Sequence, residues 1–346
     1  MIISGATTSK ERDIRIDCVK GVLILFIVLE HNTLLTTAYD WIRPVADSIG
    51  VGGFILLTFL WPLKTFSLQL FVDKYLSYLI PFLIFLTLTT AANWIMFRNV
   101  AILEGLWIYA KAAFLASPFD IKEASGFMYL WFLPCLVALY FIRLIHAKIG
   151  SIFLLVALVA FIVVVQLPER VLIKLPFSLH VIGFLYLPAL VSAKFYNPIV
   201  NSPVLVKFVI GALFLIGCFI STLIGWKFFL AGGLFPTWQE PWLILFYSVL
   251  LVITVPSIYI IVSLLPNMVL QPLSLLGRDS LKIYLAHPII YILLTKILKI
   301  IAAPLLSFLV VVALSVMFAW AVNRMPLLNR LMFPSSLSSL RQLKDS

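Results

Sequence analysis

Apolar residues run along this chain in blocks too long for strands and too continuous for ordinary surface helices. Ten blocks cover residues 19–38, 48–63, 75–97, 126–145, 149–167, 172–193, 204–224, 241–264, 281–298 and 301–322. A helix needs about 20 apolar residues to cross a bilayer. The pattern predicts an all-α polytopic membrane protein, about ten transmembrane helices in one bundle. An integral-membrane domain over 1–334 and a cytoplasmic tail over 335–346 follow from it.

Composition agrees. The chain is 63% hydrophobic and 11% charged, where a soluble domain carries about 25% charged residues. No internal repeat or appended soluble domain is visible. The net charge of +11 is scattered singly between apolar blocks, which argues against nucleic acid as a partner and for a role in fixing orientation. With the N-terminus inside, 16 of the 25 Lys and Arg residues fall on the cytoplasmic side and 9 on the other. Ten spans then return the C-terminus to the cytoplasm, in the inner membrane of a cell. The leading MIISGATTSKERDIRID is polar, so the first span is expected to be retained rather than cleaved as a signal peptide. Cys18, Cys135 and Cys218 form no metal-ligand pair and read as packing residues.

Two connecting stretches stand out. Within 98–125, LEGLWIYAKAAFL is expected as an amphipathic helix at the membrane interface. In 225–240, GWKFFLAGGLFPTWQE offers aromatic rings that either anchor at the interface or stack on a sugar.

The chemistry concentrates in RIDCVKGVLILFIVLEHN, Arg15 to Asn32. At about 100° per residue, Lys20 lies within about 20° of His31 around the helix and Asp17 within about 40°, with the imidazole about 16 Å further along. Ionisable groups inside a span are costly and mark functional sites. His31, Glu30 and Asp17 are therefore the catalytic candidates, with His31 suited to a general base. A lone histidine can equally be a packing residue. Glu30 points about 100° away from His31 around the helix, so its partner is sought on another helix.

RIDCVKGVLILFIVLEH resembles the opening of the acyltransferase 3 superfamily of integral-membrane acyltransferases, in which a basic residue and a histidine are separated by ten residues; here they are Lys20 and His31. Four further segments resemble the family in order: FVDKYLSYLIPF (71–82), LWFLPCLVALYF (130–141), LGRDSLKIYLAHP (276–288) and MPLLNRLMFP (325–334). The likeness is nearest to the sugar O-acetylase branch. Three departures accompany it. Lys74 is followed three positions later by Ser77 rather than a second basic residue, Glu30 stands where glycine commonly precedes the histidine, and LLTFLW (56–61) replaces a Ser-Gly pair.

The resemblance implies an O-acetyltransferase that moves an acetyl group from cytoplasmic acetyl-CoA to a sugar hydroxyl of a surface or lipid-linked glycan, with no bound cofactor or metal. Lys20, Lys74 and Arg278 are the donor-binding candidates, with Lys282 beside them, because thioester donors such as acetyl-CoA carry phosphates. His287, Ser280 and Trp131 are the site-lining candidates. His287 precedes Pro288, which frees a backbone carbonyl one turn earlier; bonding to such a carbonyl is the plainer role for it. Asp279 could cap its helix, His146 reads as a surface residue, and His180 is undecided. His31 either takes the acceptor proton or carries the acyl group itself. The alternative class is a transporter or flippase for a lipid-linked glycan, with His31 and Glu30 as a proton relay. The chain's lack of two related halves weighs against that class.

Overall fold

The computed structural model describes residues 13–61, 68–97, 102–224, 240–297 and 303–334. Sixteen α-helices and no strand occur among them. In chain order they are α1 (Ile14–His31), α2 (Thr33–Ala38), α3 (Arg43–Phe59), α4 (Leu68–Phe97), α5 (Ile102–Leu115), α6 (Pro118–Ser125), α7 (Phe132–Ile149), α8 (Ile152–Val164), α9 (Glu169–Leu172), α10 (Leu179–Val200), α11 (Val204–Ile224), α12 (Pro241–Ser263), α13 (Asn267–Arg278), α14 (Ser280–Ile292), α15 (Pro304–Arg324) and α16 (Pro326–Met332).

Seven helical segments among the described residues are long and apolar enough to cross a membrane: Asp40–Phe59, Phe71–Ile95, Tyr129–Ile149, Pro176–Val200, Val204–Ile224, Pro241–Ser263 and Pro304–Arg324. The other three expected spans also fall on helices. α1 carries Asp17, Lys20 and Glu30, α8 has 13 residues, and the remaining apolar helix runs over Ser280–Thr295. On α11 and α15 only 17% and 28% of the span is buried. Their bare apolar faces are suited to lipid rather than water.

α1 is the hub of the bundle. It is apolar on nearly every side and packs against α3, α12, α13, α14 and α15, as a helix without a polar face must. Asp13 caps it, accepting from Arg15 N at 2.9 Å and from Tyr259 Oη at 2.9 Å. Against α13 the two backbones touch. A Cβ on Gly21 would overlap Leu273 O, and one on Gly277 would overlap Asp17 O. Only glycine permits that approach, and it lays Arg278 beside the first turns of α1.

α1 stops at Asn32, inside the bundle. The Asn32 side chain accepts from Leu35 N at 3.1 Å, which restarts the chain as α2, and donates to Ser307 Oγ at 2.8 Å. The tyrosine hydroxyl of Tyr291 meets Thr33 Oγ1 at 2.5 Å and accepts from Leu34 N at 3.1 Å. The polar groups freed by the break are thus answered within the protein, the condition for a broken helix at membrane depth.

The segment expected at the interface is helical, as α5, with Leu103, Leu106, Trp107 and Phe114 exposed and Lys111 turned to Glu123 at 3.4 Å. The aromatic stretch 225–239 and the tail 335–346 lie outside the described residues.

Candidate active site

A cavity of about 490 Å³ opens between α1, α3, α4, α7, α13 and α14. Four cations line it: Lys20, Lys74, Arg143 and Arg278. No carboxylate does, among the described residues. Deeper in, its walls are Ile24, Ile27, Phe54, Leu57, Phe132 and Tyr284. The chamber therefore suits a ligand with an anionic head and a slender, largely apolar arm.

The cations are held in different ways. Asp17, with 2% of its side chain exposed, sits behind two of them, 3.1 Å from Lys20 Nζ and 3.8 Å from Arg278 Nε. Arg143 comes from α7 and is fastened to the end of α3. Its guanidinium donates to Thr58 O and, at 2.7 Å, to Trp61 O, and lies over the Phe59 ring at 4.6 Å. Carbonyls at a helix C-terminus lack N–H partners from their own helix, and a basic side chain is a natural cap for them. Lys74 at the start of α4 is exposed.

Beyond the inner end of the cavity lie two histidines. His31 Nδ1–H donates to Ile27 O at 2.8 Å and His287 Nδ1–H donates to Ile283 O at 3.2 Å. Each bond fixes a tautomer, since a carbonyl can only accept, and leaves Nε2 as the lone-pair nitrogen. The two rings stand edge to face with centroids 5.2 Å apart. Tyr284 and Tyr129 flank His287 at 6.0 and 6.3 Å, and Tyr284 Oη donates to Tyr129 O. Neither histidine lines the cavity. Ile27 and Tyr284 do, and each touches one of them.

A family model described as an acyltransferase domain matches residues 13–324. The chain belongs to this acyltransferase family. It is an enzyme of the membrane that transfers acyl groups. Comparison with curated proteins and with solved structures gives no match.

This acyltransferase brings its expected residues into two groups. Lys20, Lys74, Arg278 and Ser280 line the cavity, and His31 and His287 form the pair beyond it. Asp17 lies at the opposite end of α1 from His31 and contacts the cations instead. Glu30 does find its partner on another helix. It interacts with Asp47 and Arg43 of α3 as well as with His31, and Arg43 Nε stands 3.7 Å from Asp47 Oδ2. Trp131 is buried against Phe132 and does not line the cavity. Lys282 is turned away from it, bonded to Asp279 at 3.3 Å and to Asn323. Asp279 does not cap α14 through its side chain; its carboxylate accepts from Asn323 at 3.0 Å. Ser77 turns back on its own helix, donating to Lys74 O at 2.9 Å. His287 also interacts with Tyr284 O, the carbonyl that Pro288 leaves without a helical N–H.

Two further readings change. His146 is not a surface residue in a loop: α7 continues through it, its Nδ1 lies 2.8 Å from Tyr186 Oη, and its ring stacks on Phe153. Arg143, read in the sequence only as a topology charge, lines the cavity. A basic residue closing a span looks alike in sequence whether it faces lipid headgroups or a ligand. His180 is fully buried near the start of α10.

Proposed function

We propose that this acyltransferase moves an acetyl group from cytoplasmic acetyl-CoA to a sugar hydroxyl of a surface or lipid-linked glycan, in the inner membrane with both termini in the cytoplasm. The observation that carries the reading is the layout of α1: Lys20 in the cationic wall of the cavity, and, further along the same helix, His31 with Nδ1–H committed to Ile27 O. The phosphates of the donor sit among Lys20, Lys74, Arg143 and Arg278. Its narrow arm runs inward past Ile24 and Phe54, so that the thioester approaches the histidines. Asp17 acts as a positioning residue that keeps Lys20 and Arg278 in place.

His31 Nε2 then takes the proton of the acceptor hydroxyl as its oxygen attacks the thioester carbonyl. The C–S bond breaks, and the leaving thiolate takes that proton from His31. A packed, water-poor setting favours transfer to the acceptor over hydrolysis.

The test is mass spectrometry of surface glycans from cells with the wild-type chain, with His31→Ala, and with neither. The wild type is expected to add an acetyl-sized increment that His31→Ala lacks at equal membrane abundance. Full acetylation in the variant would overturn the role of His31, and no glycan difference at all would overturn the substrate class.

A further inference from the structure

Two polar atoms at the His287 end of the histidine pair have no hydrogen-bond partner among the described residues, His287 Nε2 and the Oη of the neighbouring Tyr129. Both residues are shut away from solvent, at 1% and 3% exposure. A polar group buried without a partner is costly, and a native site that tolerates two of them calls for a ligand that supplies the missing bonds.

Their chemistry says what that ligand must bring. His287 has committed its N–H to Ile283 O, so Nε2 can only accept. The Tyr129 phenol can donate, and its own backbone carbonyl is already engaged by Tyr284 Oη. A hydroxyl is the group that donates and accepts at once. The two rings are neighbours, with centroids 6.3 Å apart, and one hydroxyl oxygen within reach of both atoms would answer both. The His287 ring is 5.2 Å from His31, so this second hydroxyl would sit next to the one that reacts.

We propose that the acceptor presents a vicinal diol, its reacting hydroxyl at His31 and the hydroxyl of the neighbouring carbon held between Tyr129 Oη and His287 Nε2. This rests on the acyl-transfer reading above and narrows its acceptor. The reacting oxygen forms the new C–O bond while its proton passes to His31 Nε2 and the carbonyl π pair moves onto the carbonyl oxygen. On collapse that pair restores the C=O bond, the C–S bond breaks, and the thiolate leaves with the bonding pair and the proton from His31. The second hydroxyl keeps its own proton throughout and serves only to orient the first. A thioester has a carbonyl oxygen and a sulfur, neither of which can donate to His287. The amide N–H nearest the thioester of CoA can, and would make His287 a determinant of donor affinity instead.

The experiment uses membranes containing the full chain, acetyl-CoA, and the endogenous glycan of the same cells as acceptor. 1,2-Cyclohexanediol and cyclohexanol are compared as inhibitors. The diol is expected to compete with the glycan about tenfold better than the mono-alcohol, the size of effect expected when an alcohol lacks one of two buried bonds. Tyr129→Phe and His287→Phe should each close that gap and raise the KM for glycan without raising it for acetyl-CoA, and the double variant should do no more than either alone. Equal inhibition by the two alcohols would overturn the proposal, as when a resident water fills the gap. So would a raised KM for acetyl-CoA with the glycan KM unchanged, or effects that multiply in the double variant. Acetyl transfer by His31→Ala would sink the underlying reading, whereas normal transfer without any diol preference sinks this inference alone.

Discussion

Arg143 is tied to two carbonyls of one helix end while its charge faces a cavity, and these two jobs can be separated by substitution. Lysine keeps the charge but has no planar fork, and a hydrogen bond from a charged group is worth about 1.5–3 kcal/mol. Arg143→Lys is therefore expected to lower the melting temperature of the purified protein in detergent while leaving the KM for donor near the wild-type value. Arg143→Ala should lower the melting temperature and also raise the donor KM. An unchanged KM in the alanine variant would remove Arg143 from the donor site. Among single residues, the ones legible in the sequence were those that break a local rule: His31 and Glu30 stand out because ionisable groups are rare within apolar runs. Arg143 obeys the rule that cations close spans, and His146 falls one residue past an apolar block. Nothing in the hydropathy pattern sets either of them apart.

At the scale of elements, the crossing of α1 and α13 fixes the site more than any single side chain does. Gly21 and Gly277 let the two backbones meet, and that contact brings Arg278 to within 3.8 Å of Asp17. Gly277→Ala and Gly21→Ala should force the helices apart, lowering thermal stability and weakening donor binding together. Gly211 on α11 has nothing within 4 Å of the position of an added Cβ. There alanine should be neutral or slightly stabilising, up to about 1 kcal/mol from helix propensity. Thermal unfolding of the three variants in one detergent would check this, and equal effects at all three positions would refute the packing argument. The seven long apolar helices could be read in advance because each is a long apolar run. The α1–α13 crossing could not, because a contact made through backbone leaves no apolar or charged signature. For the same reason Asp47 gave no sign of being the neighbour of Glu30: pairing across helices depends on which faces meet, and periodicity within one helix is silent on that.

For the whole molecule, the distribution of cations predicts a direction across the membrane. Lys148 closes α7 and Arg170 follows α8, so the two should lie on opposite sides. In a background with Cys18, Cys135 and Cys218 replaced, Arg170→Cys in intact cells should react with a membrane-impermeant maleimide, and Lys148→Cys only after permeabilisation. The reverse pattern would invert the proposed orientation and place the cationic cavity on the outer side. The fold class was legible because apolar content and block length leave a chain of this kind few alternatives. The assembly of a site from six helices was not, because it depends on tertiary neighbours.

Ile27 and Tyr284 line the cationic cavity and also touch the histidine pair, a thin and mostly apolar layer, and Glu30 next to His31 interacts with Arg43 and Asp47. That thin apolar layer has a duty unrelated to chemistry. A cationic cavity with ionisable groups past such a layer has parts in common with a proton wire. On the proposed mechanism, the side chains that bring a thioester up to an imidazole would therefore also act as insulation, keeping the membrane potential from draining through the enzyme while it waits for substrate.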